Sequence, residues 1–160
     1  MSVTIFKADY KEADQGDAIR YLMNAYASDP MGGSKALGEF VLKNLVGELS
    51  KMPHAFSVLC YVDGRPAGLI NCFELFSTFN CKPLINIHDV IVVKEFRGRG
   101  LSHKMLGKVE EIATEKGCCK LTLEVLGNNV IAKSSYKKFG FGAYELDPAA
   151  GQAFFWEKKL

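Results

Sequence analysis

The chain has 160 residues, 48% of them hydrophobic and 24% charged, with 20 lysines and arginines against 18 acidic residues and a formal net charge of +2. That length suits a single domain over residues 1–160 with one full core, and leaves little room for a second. The composition excludes a disordered or fibrous chain, and the near-neutral charge argues against wholesale coating of nucleic acid or an anionic membrane, so any anion site must be local.

The opening MSVTIFKADYKEADQGD alternates apolar and polar residues and then turns acidic, without the basic flank or apolar stretch of a secretory leader. Residues 3–8 are predicted as a strand. Ala18, Ile19, Leu22, Met23 and Tyr26 then lie on one helical face, and Asp29, Pro30, Gly32 and Gly33 stop that helix. A second helix is predicted from Ser34 through Leu37, Phe40, Val41, Leu45 and Leu49 to Pro53. Strands Ala55–Val62 and Pro66–Phe76 follow, joined by Asp63 and Gly64, a dipeptide suited to a tight hairpin turn.

Pro83–Val93 is apolar on both faces and reads as a central strand. Leu101, Met105, Leu106, Val109, Ile112 and Ala113 mark a helix over 101–116 that Gly117 closes. Leu121–Val125 is predicted as a strand, Asn128 and Asn129 as the cap of a helix ending near Phe139 and Gly140, and residues 141–145 and 152–159 as short final strands. No apolar run approaches membrane-spanning length. The order predicts an α+β fold: a mixed, largely antiparallel central sheet with helices on both faces. Cys60, Cys72, Cys81, Cys118 and Cys119 are odd in number, with no CxxC pair and no metal-ligand spacing. They read as reduced thiols of a cytoplasmic protein, and no metal is expected.

Between the central strand and the next helix the chain reads VVKEFRGRGLS. Backbone N–H groups at a helix start have no acceptor within the helix, and the helix dipole adds roughly half a positive charge there. Gly98 and Gly100 let the backbone turn tightly against a ligand, while Arg97 and Arg99 carry forked donors suited to phosphate oxygens. A phosphate or pyrophosphate cradle is the functional reading, and a solvated glycine-rich loop the alternative. A dinucleotide fingerprint fails because His103 stands where its third glycine belongs, and a triphosphate loop fails for want of the GK[ST] ending.

Arg97, Gly98, Arg99, Gly100, Leu101 and Ser102 resemble the signature of the acetyl-CoA-dependent N-acetyltransferase superfamily, known as GNAT: Arg or Gln, two residues, Gly, one residue, then Gly or Ala. Ser102 departs at the last place with another small residue. A second block, LEVLGNNVIAKSSYKKFGF over residues 123–141, resembles the other half of that signature through Asn129, Ala132, Tyr136, Gly140 and Phe141.

The resemblance implies acetyl-CoA as co-substrate and acetyl transfer to a primary amine of a small molecule or peptide. It implies that Ile91, Val92 and Val93 contact the pantetheine arm through their backbones, that residues 97–102 hold the diphosphate, that Asn129 holds the cofactor arm or substrate, and that Tyr136 protonates the departing thiolate. Many members carry a basic glutamate on the central strand, where this chain has Asn86. The remaining candidates for the base are Glu124 and His88, the latter expected on the face of Asn86, with Asp89 opposite. Histidine titrates near physiological pH and can accept a proton directly or through water.

Acceptor choice is expected to lie in residues 29–34 and 73–79. A homodimer stays open. Two other readings remain: a CoA-binding sensor without turnover, and a nucleic-acid binder using Lys94, Arg97 and Arg99, the latter disfavoured by the net charge.

Overall fold

Continuous apolar runs and the Asp63–Gly64 turn organise the central sheet, and the computed structural model describes residues 1–160. The chain divides into two compact units, Met1–Leu123 and Glu124–Leu160. In the first, β1 (Val3–Lys7), β2 (Ala55–Val62), β3 (Arg65–Ser77), β4 (Lys82–Val92) and β5 (Leu121–Leu123) form one sheet in that spatial order. All neighbours are antiparallel except β4 and β5, which are parallel. Asp63 and Gly64 form the β2–β3 turn, both at positive φ (48° and 76°), as a two-residue hairpin matched to strand twist requires.

Three helices cover this sheet: α1 (Ala13–Ser28), α2 (Glu39–Ser50) and α3 (Leu101–Glu115). The periodic apolar face of α1 buries Ala18, Ile19 and Leu22 and packs on β3 and β4, while α2 packs on α1 and β2. The stripe Leu101, Met105, Leu106, Val109, Ile112 and Ala113 buries α3 against β1 through β4. Asn71 of β3 reaches Met23 of α1 at 3.2 Å, whereas Gly68, three residues away on the opposite face of the pleat, lies against Met105 of α3. The fold is therefore the expected α+β arrangement with helices on both faces. No helix is long and apolar enough to cross a membrane.

The second unit holds α4 (Val130–Phe139), with Asn129 as its N-cap accepting from the Ala132 N–H at 3.1 Å and Gly140 closing it in the left-handed conformation. Two expectations fail here. Leu121–Val125 shortens to Leu121–Leu123, because β5 pairs with β4 only at Ile85, Asn86 and Ile87. Residues 141–145 and 152–159 form no strands. That tail contains no Val, Ile or Thr, is interrupted by Gly142, Pro148 and Gly151, and joins its two predicted strand segments by a single long backbone bond, Ala153 N–H to Tyr144 O at 3.5 Å.

The second helix also starts later than Ser34. Gly33 and Ser34 both take positive φ (106° and 57°), which no helix continues through, and Leu37 donates its N–H to Asn24 Oδ1 at 2.9 Å instead of entering the helix. Residues 29–38 form a loop bound back onto the end of α1: Asp29 O accepts from Gly32 and Ser34, and Ala27 O from Lys35. The Asp29 side chain caps Met31 N–H at 3.1 Å and accepts from Arg97 Nη2 at 2.7 Å.

Two stability predictions follow from these contacts. The Arg97 bond first, and the Met31 amide second, hold the Asp29 carboxyl below its ordinary range. A depressed folded-state value means the contribution is present above the unfolded carboxyl value of about 4 and disappears as pH falls through the lower folded value. With the Arg97 side chain 50% exposed, Asp29→Asn is expected to cost about 0.5–1 kcal/mol near neutrality and almost nothing in strong acid, read from thermal melts across that range. A Cβ on Gly68 would stand 2.7 Å from Met105 Cε and 3.0 Å from Ile91 O. Gly68→Val is expected to cost about 1–3 kcal/mol in the same melts at any pH.

Candidate active site

The glycine-arginine bend joins β4 to α3 through Val93 and a single 3-10 turn, Lys94–Phe96. Phe96 is buried and anchors the bend, with the guanidinium carbons of Arg65 and Arg99 5.2 and 5.3 Å from its ring centre. Gly98 and Gly100 take φ of 76° and 71°, a region costly for any residue with a Cβ, and Gly100 is the N-cap of α3. No side chain caps this helix, and no acidic residue occupies its first turn. Nothing lies within 4 Å of where a Cβ would stand on either glycine. The site is thus an open, positively polarised helix end, which fits a phosphate group.

The two arginines are less available than the sequence suggests. Arg97 Nε donates to Val92 O at 2.8 Å and its Nη2 to Asp29, while Arg99 Nη2 donates to Glu95 O at 3.1 Å and Nη1 approaches Met1 Sδ at 3.5 Å. Arg65 pairs with Glu95. The guanidinium groups shape the loop, and the backbone amides are left to face a ligand.

β4 supplies the second part of the site. Its parallel ladder with β5 ends at Ile87↔Leu123. From His88 onward that edge of β4 has no strand beside it, although the β3 side stays paired through Val92↔Gly68. Ile91 and Val92 end this stretch of β4 immediately before the bend, and Val93 follows with its N–H donating to Ala67 O of β3 at 3.0 Å. The register with β3 also slips here: Asn71 pairs with Asp89 and Cys72 with Ile87, so His88 is an extra residue in a bulge.

The bulge corrects the expected facing of Asp89. Instead of pointing opposite Asn86, Asp89 joins the face of Asn71, whose Nδ2 donates to Asp89 Oδ2 at 3.0 Å. His88 is exposed, with its ring edge-on to Phe73 at 5.4 Å, and Phe73 also meets the His54 ring at 6.0 Å. Asn86 donates to Thr122 Oγ1 at 3.1 Å across the β4–β5 pair. That bond is structural, so the position gives no base. Glu74 pairs with Lys116 at 2.8 Å. The aromatic residues Phe76 and Phe79 are exposed and line no core.

Several polar residues that the sequence did not single out meet on the α1 face of the sheet. Tyr10, Ser57 and Asn71 run as a bonded chain to Asp89, with Tyr26 of α1 close enough to feel the charges of Asp89 and Asp29. The three residues of that chain lie far apart in sequence, and no local pattern announces them.

In the second unit, Glu124 is exposed and follows β5 outside the strand. Tyr136 is half-buried on α4, its ring edge-on to Phe141 at 5.9 Å. Asn129 spends its side-chain oxygen on the cap of α4.

The model of the Acetyltransferase (GNAT) family matches residues 19–141. Among curated proteins, the thialysine N-epsilon-acetyltransferase of Bos taurus is 42% identical over 147 residues, covering 88% of this chain and 85% of that protein. The enzyme of the same name from Sus scrofa is 28% identical over 149 residues with the same coverage. Among solved structures, AAC(6')-Iy in complex with the bisubstrate analog CoA-S-monomethyl-acetylneamine superimposes with a TM-score of 0.78 at 17% identity, over 100% of both chains. An aminoglycoside acetyltransferase from an uncultured soil metagenomic sample, in complex with trehalose, gives 0.76 at 16% identity over 98% of this chain and 97% of that one. With a family match that spans most of its length and ends on the second signature block, this chain belongs to the acetyltransferase (GNAT) family and is an acyltransferase.

Proposed function

We propose that this acyltransferase moves an acetyl group from acetyl-CoA to a primary amine of a small molecule, with residues 1–160 as a single domain. The observation that carries the reading is the pairing of an open β4 edge with an uncapped helix end at Gly100. A family match running unbroken from 19 to 141 across the boundary between the units supports treating them as one domain. The name of the Bos taurus relative makes thialysine the first acceptor to try.

A thioester is already activated, so the residues have four tasks: hold the partners together, remove a proton from the amine, steady the oxyanion and protonate the thiolate. In this reading the amides of Leu101 and Ser102, at the start of α3, hold the diphosphate, and the backbone of Ile91, Val92 and Val93 holds the pantetheine arm. We assign the base to His88, because its imidazole is exposed on β4 at the residue where the open edge begins, whereas Glu124 lies outside any strand. The amine nitrogen, relieved of its proton, attacks the acyl carbon; the carbon–sulfur bond breaks, and the leaving sulfur takes a proton. The second signature block supports Tyr136 as the donor of that proton.

The test combines two measurements. Calorimetric titration is expected to give heat with acetyl-CoA, and free thiol is expected to appear when thialysine is added. Tyr136→Phe and His88→Ala are each expected to lower kcat about a hundredfold while leaving acetyl-CoA affinity unchanged. Heat without thiol release from any amine would favour a CoA-binding sensor, and no heat at all would remove both readings.

A further inference from the structure

Ser57 (0% exposed) and Asn71 (4% exposed) are polar side chains inside the core of the first unit, and the chemistry proposed above uses neither. Their hydrogens can be assigned from the bonds alone. Asn71 Nδ2 donates to Asp89 Oδ2 at 3.0 Å, so the amide oxygen must face Ser57. That oxygen accepts from Ser57 Oγ at 2.7 Å, which commits the one hydroxyl hydrogen of Ser57. Ser57 Oγ must then accept from the Tyr10 hydroxyl at 2.9 Å. Three donors point the same way, from Tyr10 through Ser57 and Asn71 to the carboxylate.

Buried polar groups cost stability unless each is bonded, and apolar side chains in their place would cost little or nothing. Stability alone gives no reason for the chain. Its direction does: every bond serves to fix one carboxylate, at the residue following the bulge where β4 changes its pairing.

The charge around that carboxylate is uncompensated. Asp29, the other acidic group near Tyr26, is matched by Arg97 at 2.7 Å. No lysine or arginine pairs with Asp89, whose bonded partner is the neutral amide of Asn71. Burial first, and then the charges of Asp89 and Asp29, push the Tyr26 phenol above its ordinary value. On the α1 face of β4 the structure therefore holds a fixed, half-exposed carboxylate with a neutral amide as its bonded partner and no lysine or arginine paired to it.

We propose that Asp89 is a specificity-determining residue that receives a second cationic group of the acceptor, with Asn71, Ser57 and Tyr10 as the positioning residues that fix its carboxylate. The preferred acceptors are then amines that carry another positive charge. The second group is the one concerned, because the attacking nitrogen must be neutral, and a fixed anion against it would hold it protonated. The proposal rests on the acetyltransferase reading of the site.

The test compares the diamine cadaverine with pentylamine, its one-amine counterpart of equal chain length, using the full chain and acetyl-CoA. The wild type is expected to prefer cadaverine in kcat/KM. Asp89→Asn is expected to reduce that preference about tenfold, through KM for cadaverine with kcat largely kept. Asn71→Leu and Tyr10→Phe should shift the ratio in the same direction by less, which a purely structural role would not do. Should Asp89→Asn fail to fold, Tyr10→Phe, which removes a single hydroxyl at the far end of the chain, decides the matter. A wild type that does not distinguish the two amines, or variants that lose both equally while keeping native melts and acetyl-CoA binding, would overturn the proposal. Normal acetyl-CoA binding without turnover of any amine would instead overturn the acetyltransferase reading, and this proposal with it.

Discussion

A strand in the middle of a sheet spends both rows of its backbone groups on its neighbours, and any row left over must find water or a ligand. β4 meets the first condition only as far as Ile87, where β5 ends. Beyond that residue the β3 side remains paired as far as Val92 apart from the bulge at His88, while the other edge faces no strand up to the bend, where Arg97 takes the Val92 carbonyl. The position of this transition is set by how short β5 is. Its three residues reach Ile85, Asn86 and Ile87 and no further, and the Asn86–Thr122 bond pins that register. The bulge at His88 falls at the same place, so the edge opens where the side chains that follow are re-aimed.

The bend after β4 complements this edge. Its arginines invite a simple electrostatic account in which cations collect phosphate, but both guanidinium groups already donate within the protein, to Val92, Asp29 and Glu95. Phe96 is buried with two guanidinium groups near its ring and holds the 3-10 turn against the core. What remains directed outward is backbone: the first amides of α3, exposed by glycines that place nothing in front of them. Backbone donors cannot rotate away as side chains do, so the cradle is formed before any ligand arrives.

Much of this arrangement was legible in the sequence because its causes are local. Helical spacing in 18–26 and 101–113, the Asp63–Gly64 turn and the apolar run ending at Val93 each reflect a few neighbouring residues, and the sheet and its helices follow from them. The glycine pair at 98 and 100 announced the uncapped helix for the same reason. The failures have non-local causes. Strict alternation misplaced Asp89 because the bulge depends on how β4 meets β3. The second helix was begun too early because Ser34 adopts a positive φ imposed by bonds from the loop back to α1. The final strands were expected at 141–145 and 152–159, in a segment without β-branched residues, and no ladder formed. Tyr10, Ser57 and Asn71 gave no signal at all, since a buried bonded chain across three strands exists only once the sheet is assembled.

The ion pair between Arg97 and Asp29 joins two segments 68 positions apart in sequence. One belongs to the bend that opens α3, the other to the loop that leaves α1. Because both draw on the same guanidinium, their energies are not independent: a phosphate that pulled Arg97 toward itself would loosen the loop, and a molecule that tightened the loop would alter phosphate affinity by an equal factor. Thermodynamic reciprocity of this kind needs no moving domain and no second binding pocket, only one cation with two claimants.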